Sequence, residues 1–170
     1  MSPLLFFWLL LLPPADTLHL VTVADTLHYV QVADYDGRDE RWPLPYPVYR
    51  FQTGDIDGDG HTDALVGVIK PTRFDPRPAR RLFLFKVYRG RHIRPLWLGS
   101  RLSRPLVDFR FVRIDQQPRV LTIERDTTPD RYLMALYRWH TFGLDHITTP
   151  VRGLTLDEAQ QRLQNETRQQ

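Results

Sequence analysis

Apolar and β-branched residues recur at every second position along most of the chain, which is the spacing of a β-strand with two distinct faces. In the stretch RLFLFKVYRG (81–90), Leu82 and Leu84 lie on one face, and Phe83 and Phe85 lie on the other. Because both faces are apolar, we expect this strand to be covered on both sides. The same spacing predicts eight strands, at residues 48–52, 64–69, 82–88, 93–98, 107–114, 120–124, 132–139 and 144–148.

The eight predicted strands fall into two groups of four with similar sequences. The matching pairs are VYRFQTGD (48–55) with DFRFVRID (108–115), DALVGVIK (63–70) with RVLTIERD (119–126), and LFLFKVYRG (82–90) with RYLMALYRW (131–139). A repeat of about 50 to 60 residues with four strands has the size of a propeller blade or a four-stranded meander. We therefore predict an all-β fold with two four-stranded antiparallel blade-like sheets, at about residues 45–98 and 105–148.

The segments on either side of these groups predict further elements. A tandem repeat comes first, and both copies have apolar residues two positions apart, which predicts two more strands. Its copies are ADTLHLVTV (15–23) and ADTLHYVQV (24–32). After the second group, Thr155 and Glu158 have the spacing of a capping box, which predicts a short C-terminal helix. We therefore expect a β-domain over residues 16–154, followed by a helix and polar tail over residues 155–170.

The first 15 residues, MSPLLFFWLLLLPPA, are strongly apolar. Their apolar run over residues 4–12 is too short to cross a bilayer as a helix, which needs about 20 residues. It has the length of the hydrophobic core of a signal peptide, and Ala15 is suitable at a cleavage site. We predict a signal peptide over residues 1–15, export to the periplasm, cell envelope or medium, and no stable membrane span. The alternative is a buried N-terminal segment.

Composition removes some functions from consideration. The chain has no cysteine, which excludes disulfides, thiolate zinc sites and a cysteine nucleophile. Its net charge is +3, and of its 23 basic residues only Lys70 and Lys86 are lysines. The many arginines between residues 73 and 113 form either a patch for an anionic partner or the outward positions of alternating strands. No nucleic-acid-binding signature accompanies them, so we expect no nucleic-acid partner.

The stretch GDIDGDGHTDALVGV (54–68) contains a cluster of carboxylates. Counted from the first aspartate, side-chain oxygens stand at positions 1, 3, 5 and 9, in Asp55, Asp57, Asp59 and Asp63. Gly60 at position 6 permits a sharp turn, and His61 at position 7 offers a backbone carbonyl, which is the ligand order of a calcium loop. Position 12 is Val66 rather than glutamate, and strands flank the loop, so the site is not an EF-hand.

Repulsion between the aspartates favours a loop that binds a cation over an Asp/Gly-rich turn without a metal. Each pair of carboxylates about 4 Å apart costs on the order of 4 kcal/mol at an effective dielectric constant near 20. Hard oxygen ligands without cysteine favour Ca²⁺. A second acidic stretch, DYDGRDE (34–40), has a spacing one residue shorter, so it is either a second metal site or a solvated turn.

The stretch DIDGDGHTDALVGV resembles the calcium loop of FG-GAP/VCBS-type repeats, the blades of integrin-like β-propellers. The family pattern is D-x-D-x-D-G-x-x-D followed by an apolar strand, and LYRWHTFG (136–143) is similar to the Trp/Phe-Gly strand pairs of such blades. The resemblance implies that Asp55, Asp57, Asp59 and Asp63 bind Ca²⁺ together with the carbonyl of His61. Two blades do not close a propeller, which leaves a sandwich, an open propeller fragment or assembly with other chains.

Two functions from different classes follow from these features. The first is a non-catalytic, exported, calcium-stapled β-domain that binds a protein or glycan partner or belongs to the cell envelope. The alternative is a small hydrolase that acts on a sugar or anionic substrate, with Asp and His near the metal as acid and base. The chain has no G-x-S-x-G, P-loop or G-x-G-x-x-G motif, and its six histidines show no paired ligand spacing. We therefore expect no enzyme activity.

Overall fold

The computed structural model describes residues 18–32, 40–73, 75–89, 92–99 and 102–166. The predicted signal peptide, residues 34–39 of the second acidic stretch and the last four residues of the polar tail lie outside this part of the chain. The described residues form three antiparallel sheets and one helix, and in each sheet consecutive strands are neighbours. The helix, α1, covers Leu156–Glu166, and no helix among these residues is long and apolar enough to cross a bilayer.

The three sheets follow one another along the chain. Sheet 1 contains β1 (Leu18–Ala24), β2 (Leu27–Val32) and β3 (Glu40–Leu44). Sheet 2 contains β4 (Val48–Gly54), β5 (Asp63–Lys70), β6 (Ala79–Tyr88) and β7 (His92–Leu98). Sheet 3 contains β8 (Leu106–Ile114), β9 (Gln117–Arg125), β10 (Tyr132–His140) and β11 (Gly143–Leu154).

The all-β prediction is confirmed, and both predicted four-stranded sheets are present. All eight strands of the two groups form, as do the two strands of the tandem repeat. The matched stretches occupy equivalent places, because β4 and β8 are each the first strand of their sheet. The structure adds β3, which completes a third sheet that the sequence did not predict.

Sheet 2 lies in the middle of the stack and is covered on both faces. Val66 and Phe85 belong to the core that sheet 2 shares with sheet 1. Leu65 and Leu84, at neighbouring positions on the same strands, belong to the core shared with sheet 3. This confirms the expectation from the alternation in β6, since two apolar faces need two apolar partners.

The outer face of sheet 3 packs against α1. Ile123 of β9 shares a core cluster with Ala159 and Leu163 of the helix. The predicted capping box forms: the Thr155 amide donates to Glu158 Oε2 at 2.8 Å, and the Glu158 amide donates to Thr155 Oγ1 at 3.3 Å. These bonds satisfy backbone donors at the first helical turn and fix where the helix starts.

The first strands of sheets 2 and 3 are joined by side chains. Arg50 Nε and one terminal nitrogen each donate to an Asp108 carboxylate oxygen at 2.5 Å, which is a bidentate pair. Gln52 Oε1 accepts from the Phe111 amide at 3.0 Å. These contacts fix the end of β4 against sheet 3, and that end leads directly into the acidic loop.

Candidate metal centre

The acidic loop connects the paired strands β4 and β5. Gly54, the last residue of β4, lies opposite Asp63, the first residue of β5. A Cβ atom on Gly54 would come within 2.5 Å of the Phe111 ring, so the root of the loop packs closely on sheet 3. Ile56 is 1% exposed and belongs to the core between sheets 2 and 3. Packing against sheet 3 and the core therefore holds the first residues of the loop in place.

Asp55 organises the backbone of the loop. Its Oδ1 accepts from the Gly58 amide at 2.7 Å, and its Oδ2 accepts from the Gly60 amide at 3.0 Å. Both glycines have positive φ, +77° and +85°, a region that glycine adopts without the steric cost of a side chain. The chain therefore folds tightly around this one carboxylate.

Three of the predicted carboxylates converge. Asp55, Asp57 and Asp63 each offer one oxygen, and these oxygens lie within 4.8 Å of one another. Oxygen ligands of Ca²⁺ lie about 2.3–2.6 Å from the ion, so two ligands of one ion are separated by at most about 5 Å. The spacing fits a common ion of this size. Among the described residues, these three form the one cluster of this kind.

Asp63 is the deepest member of the cluster. It is fully buried, and its Oδ2 accepts from the Ile56 amide at 2.9 Å. Its Oδ1 is buried without a hydrogen-bond partner among the described residues. Burial, reinforced by the charge of Asp57 and opposed by the Ile56 amide, raises the pKa of Asp63 to about 7. A buried carboxylate oxygen without a partner is costly, and a cation at the cluster would supply the missing partner.

A lysine from the neighbouring strand enters the loop. Lys86 Nζ of β6 donates to Asp57 Oδ2 at 2.5 Å and to Asp59 Oδ2 at 2.6 Å. Burial lowers the pKa of Lys86, but the hydrogen bonds to the two aspartates outweigh burial and raise the pKa above its ordinary value. The ammonium is therefore charged and neutralises part of the loop. Sequence reasoning missed this contact, although a lysine in an otherwise apolar strand requires a polar partner.

The other two predicted ligands lie outside the three-carboxylate cluster. Asp59 turns toward Lys86, and its Oδ1 accepts from the His61 amide at 2.9 Å. Burial raises the pKa of Asp59, but hydrogen bonds from Lys86 and the His61 amide lower it below the ordinary value. His61 itself is exposed. The structure thus brings Asp55, Asp57 and Asp63 together, and the five-residue ligand set stays a prediction.

Histidines elsewhere have their own partners. His28 is buried and contacts Thr22 and the Asp25 carbonyl. His92 Nδ1 lies 2.9 Å from a Glu40 carboxylate oxygen. Glu40 belongs to β3 of sheet 1, so this contact lies away from sheet 3. The His28 contacts lie within the β1–β2 strand pair, and the His92 contact joins the edge strands of sheets 2 and 1.

Comparisons with known proteins provide no relative. A scan against protein-family models, a search of curated proteins and a search of solved structures found no match for this chain. A functional assignment therefore depends on the residues of the chain itself, above all on the geometry of the acidic loop.

Proposed function

We propose that this chain is a non-catalytic, exported β-domain stapled by one Ca²⁺, related to FG-GAP/VCBS-type repeats, and that it serves as a binding or envelope-associated module. The observation that carries the proposal is the buried, unpartnered Oδ1 of Asp63 beside the carboxylates of Asp55 and Asp57. Three converging oxygens of this kind match the preference of a hard divalent cation. Its partner would be a protein or a glycan, or other chains of the same assembly.

The proposed role of the ion is structural. Asp55 and Asp57 belong to the loop, whereas Asp63 is the first residue of β5, so an ion held by all three would tie the loop to the strand. The ion would supply the positive charge that three close carboxylates need. Since Ile56 is buried beneath the loop, a fixed loop would also hold its side chain in the core between sheets 2 and 3.

The burial of the site supports a non-catalytic role. A general acid or base has to reach the group whose proton it transfers. Asp63 has a pKa close to neutrality but is fully buried, and Asp55 is engaged by two backbone amides. These two carboxylates suit a structural ion better than they suit contact with a substrate.

The experiment is an isothermal titration of the purified protein with CaCl₂, using the Asp55→Asn variant and a matched control. The control is Asp115→Asn, since Asp115 occupies the corresponding position after β8 in sheet 3. We expect one binding site in the wild type, strongly weakened binding in Asp55→Asn, and wild-type binding in Asp115→Asn. Equal binding in Asp55→Asn and the wild type would contradict the proposal.

A further inference from the structure

A second charged feature lies on the hairpin between β6 and β7. Tyr88, the last residue of β6, is 40% exposed. The guanidinium carbon of Arg89 lies 5.2 Å from the centre of the Tyr88 ring, and that of Arg94 in β7 lies 4.8 Å from it. A guanidinium within about 6 Å of a ring centre is attracted to the ring face. One exposed tyrosine therefore holds two arginines, one from the turn and one from β7.

The guanidinium groups of Arg89 and Arg94 are close to each other. Because both lie within 5.2 Å of one ring centre, their carbons are at most about 10 Å apart, and like charges at this distance repel. Both side chains are exposed, and within the described residues neither makes a hydrogen bond or an ion pair. An anionic ligand at this hairpin would reduce the repulsion between them.

The carboxylates of the acidic loop do not occupy these arginines. Lys86 lies opposite Arg94 in the pairing of β6 with β7, and its ammonium contacts Asp57 and Asp59. The loop therefore takes a counter-charge from Lys86, and the positive charge of Arg94 stays available to a ligand.

The tyrosine holds the arginines ready for a ligand. A guanidinium carries five N–H donors, and contact with an aromatic ring gives them no oxygen acceptor. The phenol OH of Tyr88 also has no hydrogen-bond partner within the described residues. Because the ring restricts both arginine side chains, they lose less rotamer freedom when a ligand binds. The three side chains thus present their donors together on one hairpin.

The exposure of this site favours a ligand with many anionic groups. Small-molecule sites are concave and bury most of their ligand. Tyr88, Arg89 and Arg94 are all exposed, so they cover only part of a bound molecule. A chain with repeated anionic groups can add further contacts beyond the hairpin, which raises its overall affinity.

The edge of sheet 2 favours a glycan chain over an acidic peptide. Arg94 belongs to β7, which is the last strand in the order of sheet 2. An extended peptide binds such an edge through backbone hydrogen bonds. The next residue of β7 is Pro95, and a proline in an edge strand has no N–H to offer on the open side. A glycan needs no such donor, because its carboxylate or sulfate groups can bind the arginines directly.

We propose that Tyr88, Arg89 and Arg94 bind an acidic glycan, whose carboxylate or sulfate groups accept hydrogen bonds from the two guanidinium groups. The tyrosine ring positions both arginines for this contact. The proposal names the partner class of the binding module proposed above and to that extent rests on it. The site contains none of the proposed calcium ligands.

The test is a titration of the purified protein at low ionic strength with a uronic acid oligosaccharide and with a sulfated dextran oligosaccharide. A neutral dextran oligosaccharide and oligo-glutamate are the comparison ligands. We expect saturable binding of at least one acidic glycan that weakens as salt increases, and the tighter of the two identifies the anionic group. No binding of either acidic glycan, equal binding of the neutral one, or binding of oligo-glutamate at least as tight would overturn the proposal.

Variants locate the binding on the hairpin. Arg89→Gln and Arg94→Gln should each weaken glycan binding by roughly three- to tenfold. The matched control is Arg138→Gln, which removes the same charge from an exposed side chain on β10 of sheet 3 and should bind as the wild type does. Equal weakening in all three variants would show that net charge alone attracts the glycan, which would overturn the assignment.

A charge-neutral substitution tests the role of the ring. Tyr88→Leu should weaken glycan binding although it removes no charge, and Tyr88→Phe should retain most of the affinity because the ring remains. Wild-type affinity in Tyr88→Leu would overturn the positioning role of Tyr88. Glycan binding should persist in EGTA, so a failed calcium titration would leave this result intact. Absent glycan binding with an intact calcium titration would overturn this site alone.

Discussion

Replacing Lys86 by methionine should have opposite effects on the loop with and without calcium. Lys86 Nζ contacts Asp57, which is one of the three clustered carboxylates, and its side chain is 19% exposed. A bound Ca²⁺ and this ammonium would therefore compete for the same carboxylate. Methionine keeps the length and apolar stem of lysine but removes the charge. Without calcium the loop should be less stable, and with calcium it should bind the ion more tightly.

The size of both effects follows from the geometry. Two unit charges about 4 Å apart interact by on the order of 4 kcal/mol at an effective dielectric constant near 20. Desolvation and partial exposure reduce this, so we expect calcium affinity to rise by about 1–2 kcal/mol, or roughly 5- to 30-fold. In EGTA, Asp57 and Asp59 lose their counter-charge, and the free energy of unfolding should fall by about 1–3 kcal/mol.

The assay combines a calorimetric calcium titration with urea denaturation in EGTA. The matched control is Lys70→Met, which removes the same charge at the other end of β5, where Lys70 lies 4.7 Å from the centre of the Tyr46 ring. Lys70→Met should leave calcium affinity unchanged. If Lys86→Met binds calcium no more tightly than the wild type, the ammonium does not compete with the ion and the reasoning fails.

Three further substitutions test other parts of the account. Asp63→Asn should abolish the calcium response in a thermal melt without lowering stability in EGTA, and a retained response would show that Asp63 is not a ligand. Thr155→Ala should cost about 1 kcal/mol in urea denaturation through loss of the helix cap, whereas Thr155→Ser should not. Asp108→Asn should cost about 2 kcal/mol, because it leaves Arg50 half-buried without its partner. Replacing Asp108 and Arg50 together by apolar residues should cost less than Asp108→Asn alone, and a larger loss would argue against this explanation.

Local patterns in the sequence predicted most of the strands. The alternation of apolar residues in β6 predicted a strand buried on both faces, which is its position in sheet 2. The strand β3 was missed because its sequence, ERWPL, contains Pro43, which cannot donate to a ladder. The structure tolerates this proline because β3 is the last strand in the order of sheet 1.

Contacts between distant residues could not be predicted in the same way. The loop aspartates are close in sequence, so their spacing alone predicted a shared site. Lys86 reaches that site because β6 pairs with β5, and this register places a residue 29 positions away beside Asp57.

The most direct test of the central claim is a thermal melt of the purified protein with excess Ca²⁺ and again with EGTA. A site at 100 times its dissociation constant adds about 2.7 kcal/mol of stability. For a chain of 170 residues this corresponds to a rise in Tm of roughly 5–10 °C. A rise of this size, lost in Asp63→Asn, is the result predicted by a calcium staple. The same Tm in both buffers would mean that the three clustered carboxylates hold no ion that stabilises the fold.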